Sequence, residues 1–289
     1  MRLVSAIVLV VLVVVAGGCG GGGAGESPPD GTPSDGTPGG DADIGPLSAC
    51  GKPRPGPHNT GVPAGTVLTP RSGVIRVEQD GAIIEDLDIE GAIHVLANNV
   101  TIRRVRLTSG DYYPIRYSDN DTTGLVVEDS EIIGTSDDAT AGVSFNNFTV
   151  RRANIHGAAD GIKADANVLV EDSWIHDLRN GPDQHNDGVQ STGGKGVTLR
   201  NNWISGASNA AVQTGDLGAA TEDLTLECNW FGGGGWTLNI RGQGATVPKN
   251  TRIVNNVFAR DHGYGPWALD DPDPTIEGNT YEDGEPILP

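Results

Sequence analysis

Val168–His176, which reads Val-Leu-Val-Glu-Asp-Ser-Trp-Ile-His, is one copy of a pattern that recurs along most of the chain. In each copy an apolar anchor is followed five residues later by a second large apolar side chain. Nine anchors lie 18 to 29 residues apart: Ile84, Ile102, Val127, Val150, Val170, Leu199, Leu226, Ile253 and Ile276. Their partners are Ile89, Leu107, Ile132, Ile155, Ile175, Ile204, Phe231, Phe258 and Tyr281. This period, without helical periodicity, predicts an all-β solenoid in which each copy forms one rung.

The polar positions also line up from copy to copy. The residue after the anchor alternates in sign: Glu85, Arg103, Glu128, Arg151, Glu171, Arg200 and Glu227. Strands of neighbouring rungs lie about 4.8 Å apart, so each charge is expected between two opposite ones, and we interpret these ladders as structural. A further column contains Asn202, Asn229, Asn256 and Asn279. Since Asn tolerates left-handed backbone angles and can hydrogen-bond along a stack, we expect this column at a repeated tight turn.

This arrangement resembles the right-handed parallel β-helix of the pectate-lyase-like superfamily over about residues 70–285. The resemblance implies one solenoid domain of about nine rungs, which we place at residues 49–289. It does not select an activity, because the same architecture serves lyases, glycoside hydrolases, epimerases, tailspikes and adhesins.

The residues before the repeat predict export. Residues 1–19 combine a positive Arg2 with the apolar run Val4–Val15, which is short for a membrane span, and end in Ala-Gly-Gly-Cys19. That ending resembles the lipobox of bacterial lipoproteins, which implies lipidation of Cys19; an ordinary secretory signal is the alternative. Residues 20–48 are rich in Gly, Pro, Ser, Thr and Asp and predict a flexible tether. We therefore expect the protein to be lipid-anchored on the extracellular face of the bacterial membrane, or secreted.

The net charge narrows the classes of molecule that the protein is expected to bind. A formal charge of −19 argues against nucleic acid, whose phosphates require basic neutralisation. It also argues against polyanionic substrates unless a local basic patch or a cation intervenes.

Cys50 and Cys228 are either a disulfide pair or two buried thiols, and the turn-side position of Cys228 favours the pair. We expect a monomer.

A second short strand follows the turn of each rung, and its apolar middle residue must point into the coil. The next residue then points outward, which predicts an external polar column: His94, Arg116, Ser144, Lys163, Gln190, Gln213 and Asn239. Such a column suits a sugar chain, and a merely solvated face is the alternative. The candidate substrate-binding residues are Gln190, Gln213, Asn239, Asp165, Arg116 and His176. A purely structural role would require the N-terminal segment to cover this column.

The turn between His176 and Asp187 is about seven residues longer than its predecessor and is rich in ionisable residues. Asp160 and Asp187 occupy equivalent places one rung apart, and paired carboxylates tend to split their pKa values, as acid and base roles require. A histidine beside them can act near neutrality. The candidate catalytic residues are Asp187, His185, Lys163, Asp183, Asp160 and Arg241. Two alternatives remain: Asp160, Asp165, Asp183 and Asp187 hold Ca²⁺, or these residues only form turns.

The segment from His185 to Gln190 resembles the His-x-Asp-Gly-(Ile/Val)-Gln signature of bacterial β-helix proteins that act on polysaccharides. Asp187-Gly188 is also similar to the Asn-Thr-Asp-Gly signature of polygalacturonase-type hydrolases, although the paired aspartates of the next rung are replaced by Asn209-Ala210-Ala211.

Two reactions fit these resemblances. β-Elimination needs a base for the proton α to a uronate carboxyl and a cation for the enolate, which Lys163, His185 and Arg241 can supply while Asp187 orients them or helps to hold Ca²⁺. We predict an extracellular protein that cleaves a uronate-containing polysaccharide by elimination or hydrolysis. The alternative is a non-catalytic glycan-binding or adhesion lipoprotein on the cell surface.

Overall fold

The computed structural model describes residues 46–48, 50–117, 122–136, 139–181, 185–215, 219–242 and 246–288. They belong to one compact unit, Asp43–Pro289. The predicted signal peptide with Cys19, most of the predicted tether and Asp183 lie outside the described residues.

The described residues form short strands that follow one another along the chain. The first fourteen are β1 Thr69–Ser72, β2 Ile75–Val77, β3 Ile83–Glu90, β4 Ile93–Val95, β5 Thr101–Ser109, β6 Ile115–Tyr117, β7 Leu125–Glu128, β8 Glu131–Gly134, β9 Ala141–Phe145, β10 Phe148–Arg151, β11 Asn154–His156, β12 Asp160–Lys163, β13 Val168–Glu171 and β14 Trp174–His176. The others are β15 Asp187–Ser191, β16 Gly194–Lys195, β17 Val197–Arg200, β18 Trp203–Ala207, β19 Ala210–Thr214, β20 Thr221–Glu222, β21 Thr225–Glu227, β22 Trp230–Gly233, β23 Trp236–Ile240, β24 Arg252–Val254, β25 Val257–Phe258, β26 Gly265–Leu269, β27 Thr275–Glu277 and β28 Thr280–Tyr281.

These strands form three parallel sheets. A large sheet contains the strands that carry the anchors and their partners, a second sheet contains β2, β4, β6, β9, β12, β15, β19, β23 and β26, and β16 pairs with β20. All nine anchors pair in the predicted register, from Ile84 with Ile102 at one end to Ile253 with Ile276 at the other. The fold is therefore the predicted parallel β-helix, with the right-handed sense that parallel crossover connections take.

The interior is a continuous stack of apolar side chains. The partner residues from Ile89 to Phe258 are fully buried, and Phe231 lies 5.5 Å from Phe258 between ring centroids. Burial of one such side chain contributes about 1.5–3 kcal/mol, so the stack is the main source of stability. The terminal anchors Ile84 and Ile276 are only partly buried, because no further rung covers them.

The tight turn lies one residue earlier than predicted. The left-handed residues are Asp86, Arg104, Asp129, Arg152, Asp172, Asn201, Cys228 and Asn255, each with φ between 49° and 61°. The asparagines from Asn202 to Asn279 point inward instead and are buried. The side-chain amide of Asn229 donates to the carbonyl of Leu199 (2.8 Å) and to Oδ1 of Asn256 (3.0 Å). The prediction of left-handed angles for this column was wrong, and the prediction of hydrogen bonds along it is confirmed.

The charged columns form ion pairs across rungs. Arg103 Nη2 lies 2.7 Å from Glu85, and Arg200 Nε lies 3.2 Å from Glu227. These side chains are partly exposed, so each pair contributes at most about 1 kcal/mol. This supports their interpretation as structural ladders.

Residues 46–48 and 50–61, here called the N-terminal strap, cross several rungs over the large sheet. Cys50 and Cys228 form a disulfide with a Cα–Cα distance of 6.0 Å. The Lys52 ammonium lies 3.0 Å from Asp172, and the Arg54 guanidinium carbon lies 4.1 Å from the ring centroid of Trp203. The strap therefore lies over Trp203 on the large sheet, and none of the contacts of its described residues is with the predicted polar column.

Candidate functional site

The second sheet carries the predicted external column in the predicted register, with Arg116 beside His94, Gln190 beside Lys163, and Gln213 beside Gln190. We call this column the polar strip; its members are His94, Arg116, Ser144, Lys163, Gln190, Gln213 and Asn239. Most members are partly or fully exposed, but Ser144 is buried. Amide hydrogen bonds continue along the strip, since Asn239 Nδ2 donates to Gln213 Oε1 at 2.7 Å.

A cluster of two carboxyls and one ammonium lies where β12 and β15 begin. The main-chain N–H of Asp187 donates to Oδ1 of Asp160 at 2.9 Å. The Lys163 ammonium donates to Oδ2 of Asp160 at 2.7 Å and also to Oε1 of Gln190. Asn209 Nδ2 donates to Oδ1 of Asp187 at 2.8 Å, and Gln190 Nε2 approaches its Oδ2 at 3.4 Å. These five residues are the carboxylate cluster.

Burial gives the two carboxyls different proton affinities. Asp187 has 0% of its surface exposed; burial, reinforced by the negative charge of Asp160, raises its pKa to about 7 despite the hydrogen bond from Asn209. Burial also raises the pKa of Asp160, but the adjacent Lys163 ammonium opposes that effect. Asp160 is therefore the counter-ion of Lys163, and Asp187 is the group that can exchange a proton near neutrality.

The glycine that follows each aspartate is required by the packing of the rung. A Cβ on Gly188 would overlap Cγ2 of Ile204 and the carbonyl of Ala211. A Cβ on Gly161 would overlap Cγ2 of Ile175 and the carbonyl of Gly188 in the same way. Only glycine lets the second strand lie this close to the core, so the Asp-Gly pair is a packing requirement of the rung as well as a source of carboxyls.

The remaining predicted catalytic residues lie apart from the carboxylate cluster. His185 is exposed and makes no side-chain hydrogen bond with any described residue. Arg241 is exposed, and its guanidinium carbon lies 5.9 Å from the ring centroid of Trp236. Asp183 lies outside the described residues.

The predicted substrate-binding residues lie in different parts of the structure. Both carboxylate oxygens of Asp165 accept hydrogen bonds from Thr192, so Asp165 fixes a turn. Arg116 is exposed on the polar strip and makes no ion pair within the described part of the chain. His176 lies on the large sheet, where its Nε2 is 2.8 Å from Asn154 Oδ1 and its ring stacks on Trp174.

Three further residues need comment. The sequence places Trp236 and Trp267 near the polar strip, which makes both candidates for sugar contact, but Trp267 pairs with Leu238 in the inward column and packs edge-on against Phe258. Asn209 was overlooked as a ligand of Asp187. Its signal is present in the sequence, because Asn209 stands one position before Ala210, the rung equivalent of Asp187.

A metal site is not apparent among the residues that the structure describes, where no three His, Cys, Asp or Glu side chains are grouped to hold an ion.

A cavity of about 440 Å³ lies at the first rungs and not at the carboxylate cluster. It is lined by Pro70, Arg71, Ser72, Asp88, Ile89, Glu90 and Thr108. Nor do the described residues include a helix long and apolar enough to cross a membrane.

Comparison with known proteins yields one weak likeness. No protein family matches the sequence, and no curated protein matches it. Among solved structures, the chain is similar to the A-module of the mannuronan C-5 epimerase AlgE6 from Azotobacter vinelandii, with 14% identity, a TM-score of 0.37, and coverage of 77% of this chain and 80% of that one. At that score the likeness carries no argument about activity.

Proposed function

We propose that this protein is an extracellular polysaccharide lyase that acts on a uronate-containing glycan, with Asp187 as the base and Lys163 as the cation beside the reacting carboxylate. One observation carries the proposal: a carboxyl with a pKa of about 7 lies within the hydrogen-bond network of a buried ammonium on the outer face of the solenoid. An acid–base group with a pKa close to neutrality is suited to proton abstraction at physiological pH.

In the proposed reaction, Asp187 removes the proton on the carbon α to the uronate carboxyl. The electron pair of that C–H bond forms an enolate, whose negative charge is stabilised by the Lys163 ammonium. The glycosidic C–O bond at the β carbon then breaks and a C=C double bond forms. The departing oxygen takes up the proton that Asp187 removed, which restores the Asp187 carboxylate. One carboxyl and one cation are sufficient for these steps.

Elimination agrees with the cluster better than hydrolysis does. Hydrolysis of glycosides ordinarily uses two carboxyls in separate acid and base or nucleophile roles. Here both oxygens of Asp160 are already used, one by Lys163 and one by the main-chain N–H of Asp187. Within the carboxylate cluster, this leaves Asp187 as the carboxyl that can move a proton.

The position of the substrate carboxylate follows from the contacts of Lys163. Its ammonium donates to the amide oxygen of Gln190, and its side chain is only 12% exposed. A uronate carboxylate that replaces this amide oxygen would gain a charge-assisted hydrogen bond and would uncover Asp187, which lies below Gln190 and Asn209. We therefore infer that Gln190 moves when the glycan binds.

A non-catalytic glycan-binding protein is the second candidate. It is favoured by the full burial of Asp187 and by the mutual hydrogen bonds of Gln213, Asn209 and Asn239, which resemble a static polar surface. The proposed extracellular location, with a lipid anchor at Cys19, suits either candidate. Ca²⁺ remains a proposed auxiliary ion for both.

The test is incubation of the purified protein with neutral and uronate polysaccharides, with and without Ca²⁺. Ultraviolet absorbance from the new double bond and release of reducing ends are followed together, and both should appear with a uronate substrate. Asp187→Asn and Lys163→Met should each lower the rate by at least about a hundredfold. Reducing ends without absorbance would indicate a hydrolase. Binding without either product would favour the second candidate.

His185→Ala provides the comparison for the base. Because His185 is exposed and outside the cluster, this substitution should leave most of the activity. Loss of activity in His185→Ala with retention in Asp187→Asn would transfer the role of base to the histidine.

A further inference from the structure

Trp236 lies in the same column as the two carboxyls, farther along the solenoid. Asp187 pairs with Ala210 on the next rung. Val212 pairs with Leu238, which places Trp236 beside Ala210 one rung later. Trp236 is therefore two rungs from Asp187, or about 10 Å along the axis.

Glycines let two aromatic rings lie directly on the backbone at this place. A Cβ on Gly265 would lie 2.7 Å from Cζ3 of Trp236, and one on Gly235 would lie 3.1 Å from Cε2 of Tyr264. The two ring centroids are 5.7 Å apart. Trp236 is partly exposed and Tyr264 is 77% exposed. An aromatic surface this open is suited to stacking against the apolar face of a sugar ring.

A cation lies over one of these rings, that of Trp236. The Arg241 guanidinium is exposed, lies 5.9 Å from the centroid of the Trp236 ring, and makes no ion pair with any described residue. Asp270, on the following rung, accepts a hydrogen bond from the main-chain N–H of Gly242 at 3.1 Å instead. The guanidinium fork therefore remains available for a planar carboxylate.

We propose that Trp236, Tyr264 and Arg241 form a binding subsite for one uronate residue, two rungs from the reacting residue at Asp187. The rings stack on the sugar, and the guanidinium binds its carboxylate. The glycan then runs parallel to the solenoid axis, because rung spacing is close to the length of one sugar residue and Gln213 and Asn239 lie along the same path. This inference deepens the proposed function and rests on its choice of a uronate glycan.

The test measures binding without turnover, by calorimetry on the full chain carrying Asp187→Asn. The probes are disaccharides and hexasaccharides of galacturonate and of mannuronate, together with carboxyl-reduced hexasaccharides. Trp236→Ala, Tyr264→Ala and Arg241→Ala should each weaken binding of a uronate hexasaccharide by about tenfold. Disaccharide affinity should not change, because a disaccharide at Asp187 does not reach Trp236. Arg241→Ala should leave binding of the carboxyl-reduced hexasaccharide unchanged.

Arg252→Ala is the matched control, since Arg252 is an exposed arginine on the large sheet and should not affect binding. The subsite is overturned if no uronate hexasaccharide binds, or if one binds equally to all the variants. It is also overturned if Arg252→Ala weakens binding as much as Arg241→Ala. If the variants weaken binding while the unsubstituted protein cleaves nothing, the lyase proposal fails and the subsite stands.

Discussion

The main-chain N–H of Asp187 donates a hydrogen bond of 2.9 Å to the carboxylate of Asp160, its equivalent on the preceding rung. The carboxylate of Asp160 thereby holds the main chain of Asp187 in place. Asp160 receives this N–H and the Lys163 ammonium, both of which favour its ionised form. Asp187 receives its firmest hydrogen bond from a neutral amide, that of Asn209, and stands near the negative charge of Asp160. The pair titrates as a coupled unit in which the proton resides on Asp187.

The first prediction concerns stability against pH. The pKa of Asp187 is raised by burial from 3.8 to about 7 in the folded protein. Between these values the folded state holds a proton that the unfolded state has lost, so the free energy of unfolding should fall as the pH rises from about 4 to about 7 and then level off. At about 1.4 kcal/mol per pKa unit, the fall due to Asp187 is at most about 4 kcal/mol.

Urea unfolding at a series of pH values measures this effect. Asp187→Asn should remove most of the fall, leaving the smaller part that the raised pKa of Asp160 contributes with the same sign. Glu90→Gln, at an exposed position of β3, is the control and should follow the unsubstituted protein. A stability difference between Asp187→Asn and the unsubstituted protein that does not vary with pH would contradict the raised pKa.

The second prediction concerns activity against pH. If Asp187 is the base, kcat/KM should rise with pH and level off above about 7, because only the ionised carboxylate accepts the proton. Asp160→Asn retains an oxygen that can accept the N–H of Asp187 and removes the neighbouring negative charge. The rising part of the kcat/KM profile of Asp160→Asn should therefore move to lower pH, whatever happens to the maximal rate.

The pH profile distinguishes this electrostatic role of Asp160 from a structural one. Loss of folding or of geometry would lower kcat/KM at every pH without moving the rising part of the profile. Asp165→Asn is a suitable comparison, because Asp165 is a partly buried aspartate on the same face whose oxygens bind Thr192 and not Asp187. A rising part that stays in place in Asp160→Asn would show that Asp160 does not raise the pKa of Asp187.

The strand register of the solenoid could be predicted from the sequence because few alternative pairings between neighbouring rungs keep the apolar residues in the core. A slip by one residue would turn each anchor, such as Val170, from the core to the solvent. The same reasoning placed Asp160 beside Asp187. The turn was misplaced by one residue because Asn is common both at left-handed positions and in buried ladders, and the sequence does not distinguish these roles. In the structure, Asn201 takes the left-handed angle and Asn202 points inward.

The chemistry of the site was less predictable than its location. Lys163 was placed in the external column from its strand position, but the contact of its ammonium with Asp160, three residues earlier, depends on side-chain rotamers and was not predicted. The surface covered by the strap also could not be predicted. It depends on where Arg54 meets Trp203 and where Cys50 meets Cys228, and these contacts are distant in sequence.

The third prediction concerns the asparagine ladder. Asn229→Ala removes the hydrogen bonds that its amide donates to Leu199 and Asn256 and the two it accepts from the main-chain N–H and the side-chain amide of Asn202. Each buried group left without a partner costs about 1–3 kcal/mol, so the free energy of unfolding should fall by roughly 3 kcal/mol or more. Urea denaturation followed by circular dichroism measures it. Asn98→Ala, which breaks only exposed hydrogen bonds, to Asp80 and from the main-chain N–H of Thr123, should cost clearly less than Asn229→Ala.

The fourth prediction concerns the strap and separates it from the site. Cys50→Ser opens a disulfide between residues 178 positions apart in sequence and should lower the free energy of unfolding by about 2–4 kcal/mol. Lys52→Ala breaks only the partly exposed ion pair to Asp172 and should cost about 1 kcal/mol or less. Glycan binding and turnover should be unchanged in both folded variants, because the strap contacts the large sheet and the carboxylate cluster lies on the second. Loss of binding in folded Cys50→Ser would mean that the glycan reaches the strap, and the path along the polar strip would then have to be abandoned.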